Sequence, residues 1–219
     1  MSISEHRIPL DKGHQIMASL LPLLDVGAHR VAGVGSWIRR RETLGDLEVL
    51  AVPRIVRVDL GADANSQGGL LGGGGQDVNG VWLALQRLVD QDRAVPIRPA
   101  VAFRPDTGVL PVDEAWHARR LADTARKLRV WLPPCQALVE IYLCPAEEWG
   151  VQETFRVGPE EFSKAVAHAK RLGRPIRRGR VWCGGEAIPT PEPEDVFRAL
   201  NLRWVPRPLR RDGRDLREL

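Results

Sequence analysis

The 219-residue sequence has no apolar run near the roughly 18 residues that a membrane-spanning helix needs. Its start, Met1-Ser-Ile-Ser-Glu-His-Arg, lacks the hydrophobic stretch of a signal peptide. A cytoplasmic protein with no membrane partner is the expectation. Cysteine is scarce: Cys135, Cys144 and Cys183 are odd in number and show none of the short pair spacings of zinc or redox sites. They read as reduced, mostly buried thiols. The five histidines show no ligand spacing, which removes them from any metal role. No internal repeat is present. The segment GGLLGGGG, within residues 61–80, matches a phosphate loop in glycine count alone, because no Gly-Lys-Ser/Thr follows to supply the lysine and the magnesium-binding hydroxyl. It reads as a flexible insertion.

Hydrophobic residues make up 43% of the chain and charged residues 27%, so it is globular in composition and long enough for one or two domains with real cores. That excludes a disulfide-dependent miniprotein. Lys and Arg outnumber Asp and Glu, 32 against 28, a mild basic excess whose meaning depends on where it clusters.

Helical spacing over residues 11–24 predicts a helix with Ile16, Met17, Leu20 and Leu24 inward, Asp11 as its cap and a kink or early end at Pro22. Strands are expected at 30–34, 47–52, 97–103, 127–132 and 137–144, and helices at 82–89 and 113–127. After residue 152 the character changes. Gly158-Pro159-Glu160-Glu161 opens a helix with Phe162, Val166, Ala169 and Leu172 inward, Gly173 ends it, and a last helix covers 194–200. The fold class is therefore α/β in the α+β sense, a mixed sheet flanked by helices over residues 1–152 with a small C-terminal subdomain over 153–219. Trp37, Trp131, Trp149, Trp182 and Trp204 read as core or seam residues.

The most informative segment is GSWIRRRETLGDLEVL, residues 35–50. In a strand, Asp46 and Glu48 project from one face while Leu47 and Val49 enter the core. Adjacent carboxylates repel unless a cation sits between them, and hard divalent ions prefer carboxylate oxygens, so the pair suits phosphoryl or nucleotidyl transfer. A solvated edge of an antiparallel sheet gives the same alternation. Gly35-Ser36 ahead of the pair is a small turn able to bring backbone N–H groups and a hydroxyl to a triphosphate. Glu140 alternates with Val139, Ile141 and Leu143, so it faces the same cleft if its strand neighbours 47–52. Asp59, in RVDL, is a rival third acid. Between Phe162 and Gly185 lie seven cations and no acid: Lys164, Lys170, Arg171, Arg174, Arg177, Arg178 and Arg180. Such a stretch suits a DNA backbone, or serves as a plain soluble surface.

With its Gly-Ser, its arginine pair and Gly-Asp-x-Glu, the segment resembles the nucleotidyltransferase superfamily and, more closely, DNA polymerase family X. The resemblance extends to Arg7-Ile8-Pro9, to Val139-Glu140-Ile141-Tyr142-Leu143, and to TFRVGPEEFSKAVAHAKRLG and GGEAIPTPEPEDVFRALNLRWVPRPLR, leaving out residues 54–125. It implies a palm (1–152) and a thumb (153–219) without the N-terminal lyase region of longer polymerases. By resemblance, Asp46 and Glu48 bind two Mg²⁺ ions, with Mn²⁺ as a substitute, and Glu140 joins them on the catalytic ion. Gly35, Ser36 and Arg39 hold the triphosphate and Arg7 its terminal phosphate. Phe155 and Gly158 line the sugar and base, and Ser163 stands where the family often has an Asn at the minor-groove edge. The family usually has Asp where this chain has Glu48 and Glu140. The implied partners are a primer–template or gapped DNA and a deoxynucleoside triphosphate, with the protein a monomer. Two alternatives stay open: a nucleotidyltransferase acting on RNA, a protein or a small molecule, and a DNA-binding relic that has lost the chemistry.

Overall fold

The structure is a computed structural model that describes residues 7–38, 41–58, 75–99, 110–121, 126–156 and 159–206. In chain order its elements are β1 (Ile8–Pro9), α1 (Leu10–Asp25), β2 (Ala28–Val34), β3 (Thr43–Leu44), β4 (Leu47–Pro53), β5 (Ile55–Val58), β6 (Gln76–Asn79), α2 (Gly80–Asp90), β7 (Val95–Pro96), β8 (Lys127–Leu132), β9 (Ala137–Leu143), α3 (Trp149–Phe155), α4 (Pro159–Arg171), β10 (Ile176–Arg177), β11 (Arg180–Cys183), β12 (Glu186–Ile188) and α5 (Pro193–Ala199). The fold is α+β. Among the described residues no helix is long and apolar enough to cross a membrane.

A five-stranded mixed sheet in the order β2-β4-β9-β8-β7 organises the larger unit. Only β4 and β9 run parallel; the other neighbours are antiparallel. Alternation along the two central strands decides the layers. Leu47, Val49 and Ala51 of β4, with Val139, Ile141 and Leu143 of β9, turn into a core shared with Met17, Leu20 and Leu24 of α1 and Val81, Leu85 and Leu88 of α2. The other face carries Glu48 and Glu140 at one end and, further along, Leu50 and Val52 packed with Cys144 and Trp149. Asn79 starts α2 by accepting the N–H groups of Val81 and Trp82 at 2.9 and 3.1 Å.

Several local expectations change. Asp11 lies in the first turn of α1 and does not cap it; Pro9 holds the N-cap position, and the helix continues through Pro22 to Asp25. The end of the presumed glycine-rich insertion is strand β6, which pairs with β5, while residues 59–74 lie outside the described residues. Of the helix expected over 113–127, the described residues 113–121 form a 3₁₀ turn at Trp116–Arg120 and Lys127 already starts β8, while 122–125 lie outside the described residues. The Asp113 side chain accepts from Ala115 N–H at 3.2 Å and from the Arg119 guanidinium, the chemistry of a turn. Among residues 163–171 of α4 the fully buried positions are Ala165 and Ala169, with His168 beside them, while the side chain of Phe162, expected inward, lies outside the described residues. Val166 and Leu172 are half-buried.

The smaller unit closes a second core from Val151 and Phe155 of α3, Ala165 and Ala169 of α4, Val181 of β11, and Val196 and Phe197 of α5. Its three strands form an antiparallel sheet, β10-β11-β12. A capping box between Glu192 and Asp195 starts α5. The two units meet along a polar seam. Arg30 of β2 pairs with Glu192 and donates to the Pro191 carbonyl at 3.1 Å, and Gly35 N–H donates to Arg156 O at 2.7 Å.

Candidate functional site

The parallel register of β4 and β9 sets Glu48 directly beside Glu140, with Val34 of β2 on the far side of Glu48. Asp46 precedes β4 and, like Glu48, is half-buried, alternating with fully buried Leu47 and Val49. The sheet therefore brings Glu48 and Glu140 to one face and one end, with Asp46 two residues before Glu48 and just ahead of β4.

Gly35 occupies a left-handed conformation (φ +71) in the 3₁₀ turn Gly35–Trp37, and a Cβ there would sit 1.5 Å from Glu48 Oε2. Glycine is required twice over, for the backbone and for the room that Glu48 takes. Its N–H is already engaged by the Arg156 carbonyl, so it is no donor for a triphosphate. Ser36 supplies a different feature: its Oγ is buried and has no hydrogen-bond partner among the described residues. An orphaned buried hydroxyl is the kind of group a bound ligand satisfies.

Glu140 is only 7% exposed. Burial of a carboxylate demands partners, and the neighbouring strand provides them through the register of β8 with β9, which sets Arg129 opposite Glu140 and Lys127 opposite Tyr142. Arg129 Nε lies 3.0 Å from Glu140 Oε1, and Lys127 Nζ 2.6 Å from Oε2. Tyr142 donates to the same Oε2 at 2.8 Å. Burial, then the charges of Glu140 and Glu48, push the Tyr142 phenol well above its ordinary value, so it stays a donor. The Arg156 guanidinium covers the Tyr142 ring at 3.5 Å and Lys127 Nζ lies 4.9 Å from its centroid. Lys127, Arg129, Tyr142 and Arg156 were not singled out from the sequence. The signal was there: cations at alternate positions of KLRVWL precede a tight Pro-Pro-Cys-Gln turn into VEIYL, and hairpin counting pairs them.

Hard oxygen donors suit Mg²⁺, and Asp46 with Glu48 fits such an ion, with the Ser36 hydroxyl nearby in sequence and unpartnered. Glu140 points to the same face but holds two cationic side chains where the resemblance gives it a metal. Among the described residues no group of three His, Cys, Asp or Glu side chains is gathered closely enough to bind an ion.

The remaining expected residues divide. Arg7 is exposed, with Nε donating to Thr43 Oγ1 at 2.8 Å and Nη2 to Thr43 O at 3.2 Å. That fixes it beside β3, three residues before Asp46. Phe155, expected at the sugar, is 6% exposed and packed in the second core, because its helix turns that face toward Phe197 and Val196. Arg39, Gly158 and the rival Asp59 lie outside the described residues. Ser163, Lys164 and Lys170 are exposed on α4, and Arg171 ends that helix. Two of the seven cations are tied into the protein: Arg174 donates to Ala199 O at 2.5 Å and Asn201 Oδ1 at 3.2 Å, closing the end of α5, and Arg180 pairs with Glu147 at 2.8 Å. Arg177 and Arg178 are exposed and have no ion-pair partner among the described residues. The thiols also differ from expectation: Cys144 is buried, Cys135 half-buried and Cys183 exposed. No family model matches the chain, and no curated protein matches it.

Proposed function

We propose that the chain is a metal-dependent nucleotidyltransferase of the DNA polymerase family X type, a cytoplasmic monomer that adds deoxynucleotides to a primer 3′-hydroxyl in short-gap repair synthesis. The observation that supports this reading is the parallel pairing of β4 with β9, with Glu48 beside Glu140, Asp46 two residues ahead of Glu48, and Ser36 contributing a buried hydroxyl without a partner among the described residues. Asp46 and Glu48 would hold Mg²⁺ or Mn²⁺. When bound, such an ion lowers the pKa of the attacking hydroxyl and offsets charge on the phosphate oxygens. Ser36 Oγ donates to a phosphate oxygen of the incoming nucleotide. Arg156 and Tyr142 cover the floor of the site and keep Glu140 in place, and Glu140 enters the chemistry once Lys127 or Tyr142 releases one of its oxygens. Lys164, Lys170, Arg177 and Arg178 offer charge to the DNA backbone.

The test is extension of a gapped duplex with deoxynucleoside triphosphates and Mg²⁺ or Mn²⁺. Wild type extends, and Asp46→Asn loses at least about 100-fold, since loss of a ligand exceeds the effect of losing a residue behind it. Glu140→Gln also lowers extension. Label transfer to RNA, protein or a small molecule in place of the primer assigns the chain to another branch of the chemistry. The clamp of Lys127 and Arg129 on Glu140 favours one rival, a DNA-binding protein without transfer chemistry. DNA binding with no extension in either metal establishes that rival.

A further inference from the structure

The sheet β10-β11-β12 carries a concavity of about 510 Å³ whose wall includes Pro175, Arg177, Arg178, Trp182, Gly184 and Gly185 and no acid. Alternation along β11 turns Val181 into the second core, fully buried, and Trp182 to the opposite face. Trp182 is half-exposed and belongs to none of the hydrophobic clusters of the described residues, unlike Trp131, Trp149 and Trp204. The expectation that it is a core or seam residue is therefore overturned. Its indole N–H donates to Arg177 O at 3.0 Å, which fixes the ring as one wall. The turn at Arg178 (φ 49) and Gly179 (φ 68) presents Arg177 and Arg178 in succession beside it. Gly184 (φ 59) and Gly185 (φ 91) form the facing turn, and a Cβ at either would meet nothing within 4 Å, so the mouth is open.

An indole outside the hydrophobic clusters of the described residues, two exposed guanidiniums with no ion-pair partner among those residues, and a volume in the range of small-ligand sites form a combined aromatic and cationic surface. We propose that this concavity is a subsite for a single-stranded nucleic acid, one unpaired base stacking on Trp182 while adjoining phosphates sit on Arg177 and Arg178. A base inside a duplex has no free face to offer, so the subsite selects an unpaired strand. The inference rests on the proposed DNA-directed function for the class of ligand. Its test uses no metal and no nucleoside triphosphate, so a chain that fails to extend primers can still pass it.

The experiment measures fluorescence anisotropy of the full chain with labelled oligodeoxythymidylate, oligouridylate and a blunt duplex of equal length, over a salt series. Trp182→Ala weakens single-strand binding by about 10-fold and changes duplex binding by less than about 2-fold, while Trp182→Phe retains most of the affinity. Arg177→Ala lowers the slope of log affinity against log salt on single strands by about 0.7. Either sugar supports the subsite, and the tighter arm names the source. Equal losses on single strand and duplex, or no loss on single strands, overturn it. Exposed Cys183 borders the concavity and gives a second readout without any substitution. Saturating oligonucleotide slows alkylation of Cys183 in the wild-type chain; an unchanged rate overturns the proposal.

Discussion

Charge is handled in opposite ways at the carboxylate end of the large sheet and on the small C-terminal sheet. Glu140 is 7% exposed and has drawn Lys127, Arg129 and Tyr142 around it, whereas Arg177 and Arg178 stand in solvent without partners among the described residues. Burial is the cause of the difference. A carboxylate removed from water is costly unless donors replace its hydration, while an exposed guanidinium keeps its hydration and waits for a ligand. Pairing at the first place therefore reports on folding, and the lack of it at the second leaves charge available for binding.

The widest contrast is in thiol chemistry. Burial, followed by the charge of Glu148, pushes the Cys144 thiol up to about 12. Below that pH the thiolate is scarce and its reactivity rises with pH. Mass spectrometry after alkylation near neutral pH is expected to show Cys183 modified and Cys144 untouched until the chain is unfolded, a rate difference of at least about 1,000-fold. Equal labelling of both in the native chain would contradict the buried placement of Cys144.

Next comes the clamp. Arg129→Ala leaves Glu140 buried with one cation fewer and is expected to cost about 3 kcal/mol, a fall in Tm of about 6 to 12 °C by calorimetry. Arg177→Ala shifts stability by less than about 0.5 kcal/mol. If both substitutions cost the same, burial is not what separates the two regions. A double-mutant cycle of Arg129→Ala with Glu140→Gln sharpens the point, because the pair of changes should cost less than their sum.

Two glycines refine the comparison. Gly35→Ala forces both a left-handed alanine and a Cβ against Glu48 Oε2, whereas Gly184→Ala meets nothing within 4 Å and bears the backbone cost alone. Urea titration is expected to show about 1 kcal/mol for Gly184→Ala and a larger loss for Gly35→Ala, with primer extension lost only in the latter. The seam between the two units adds a small effect of its own. Arg30 and Glu192 are both partly exposed, so Arg30→Ala is expected to cost under about 1 kcal/mol, and less at high salt.

Four of the five strands of the sheet were legible because alternation and β-branched composition are local properties, as in Leu47-Glu48-Val49-Leu50-Ala51-Val52, whereas the fifth is Val95–Pro96, just ahead of the strand expected at 97–103, of which 100–103 lie outside the described residues. The same pattern gave Asp46 and Glu48 a common face and made the place of Glu140 conditional on its strand lying beside 47–52, a pairing that β4 and β9 make. Phe155 was not legible. Its helix begins against the large sheet with Trp149 and ends in the second core, so which way the ring turns depends on two packing surfaces that no window of sequence contains. Arg174 and Trp182 exchanged roles for a related reason: a basic run shows its charge in the sequence, but only tertiary contact with the Ala199 carbonyl shows that one arginine closes a helix. Over the described residues 113–121 the expected helix gives way to a 3₁₀ turn in which Asp113 accepts from Ala115 N–H, a local bond that apolar periodicity does not register.

Helix α3 is anchored at its start in one body and at its finish in the other, and the next residue, Arg156, touches both Gly35 and the Tyr142 ring. One residue therefore joins the two bodies twice, its carbonyl seating the turn that frames Glu48 and its guanidinium lying on the ring that holds Glu140, so a substitution at Arg156 disturbs both at once.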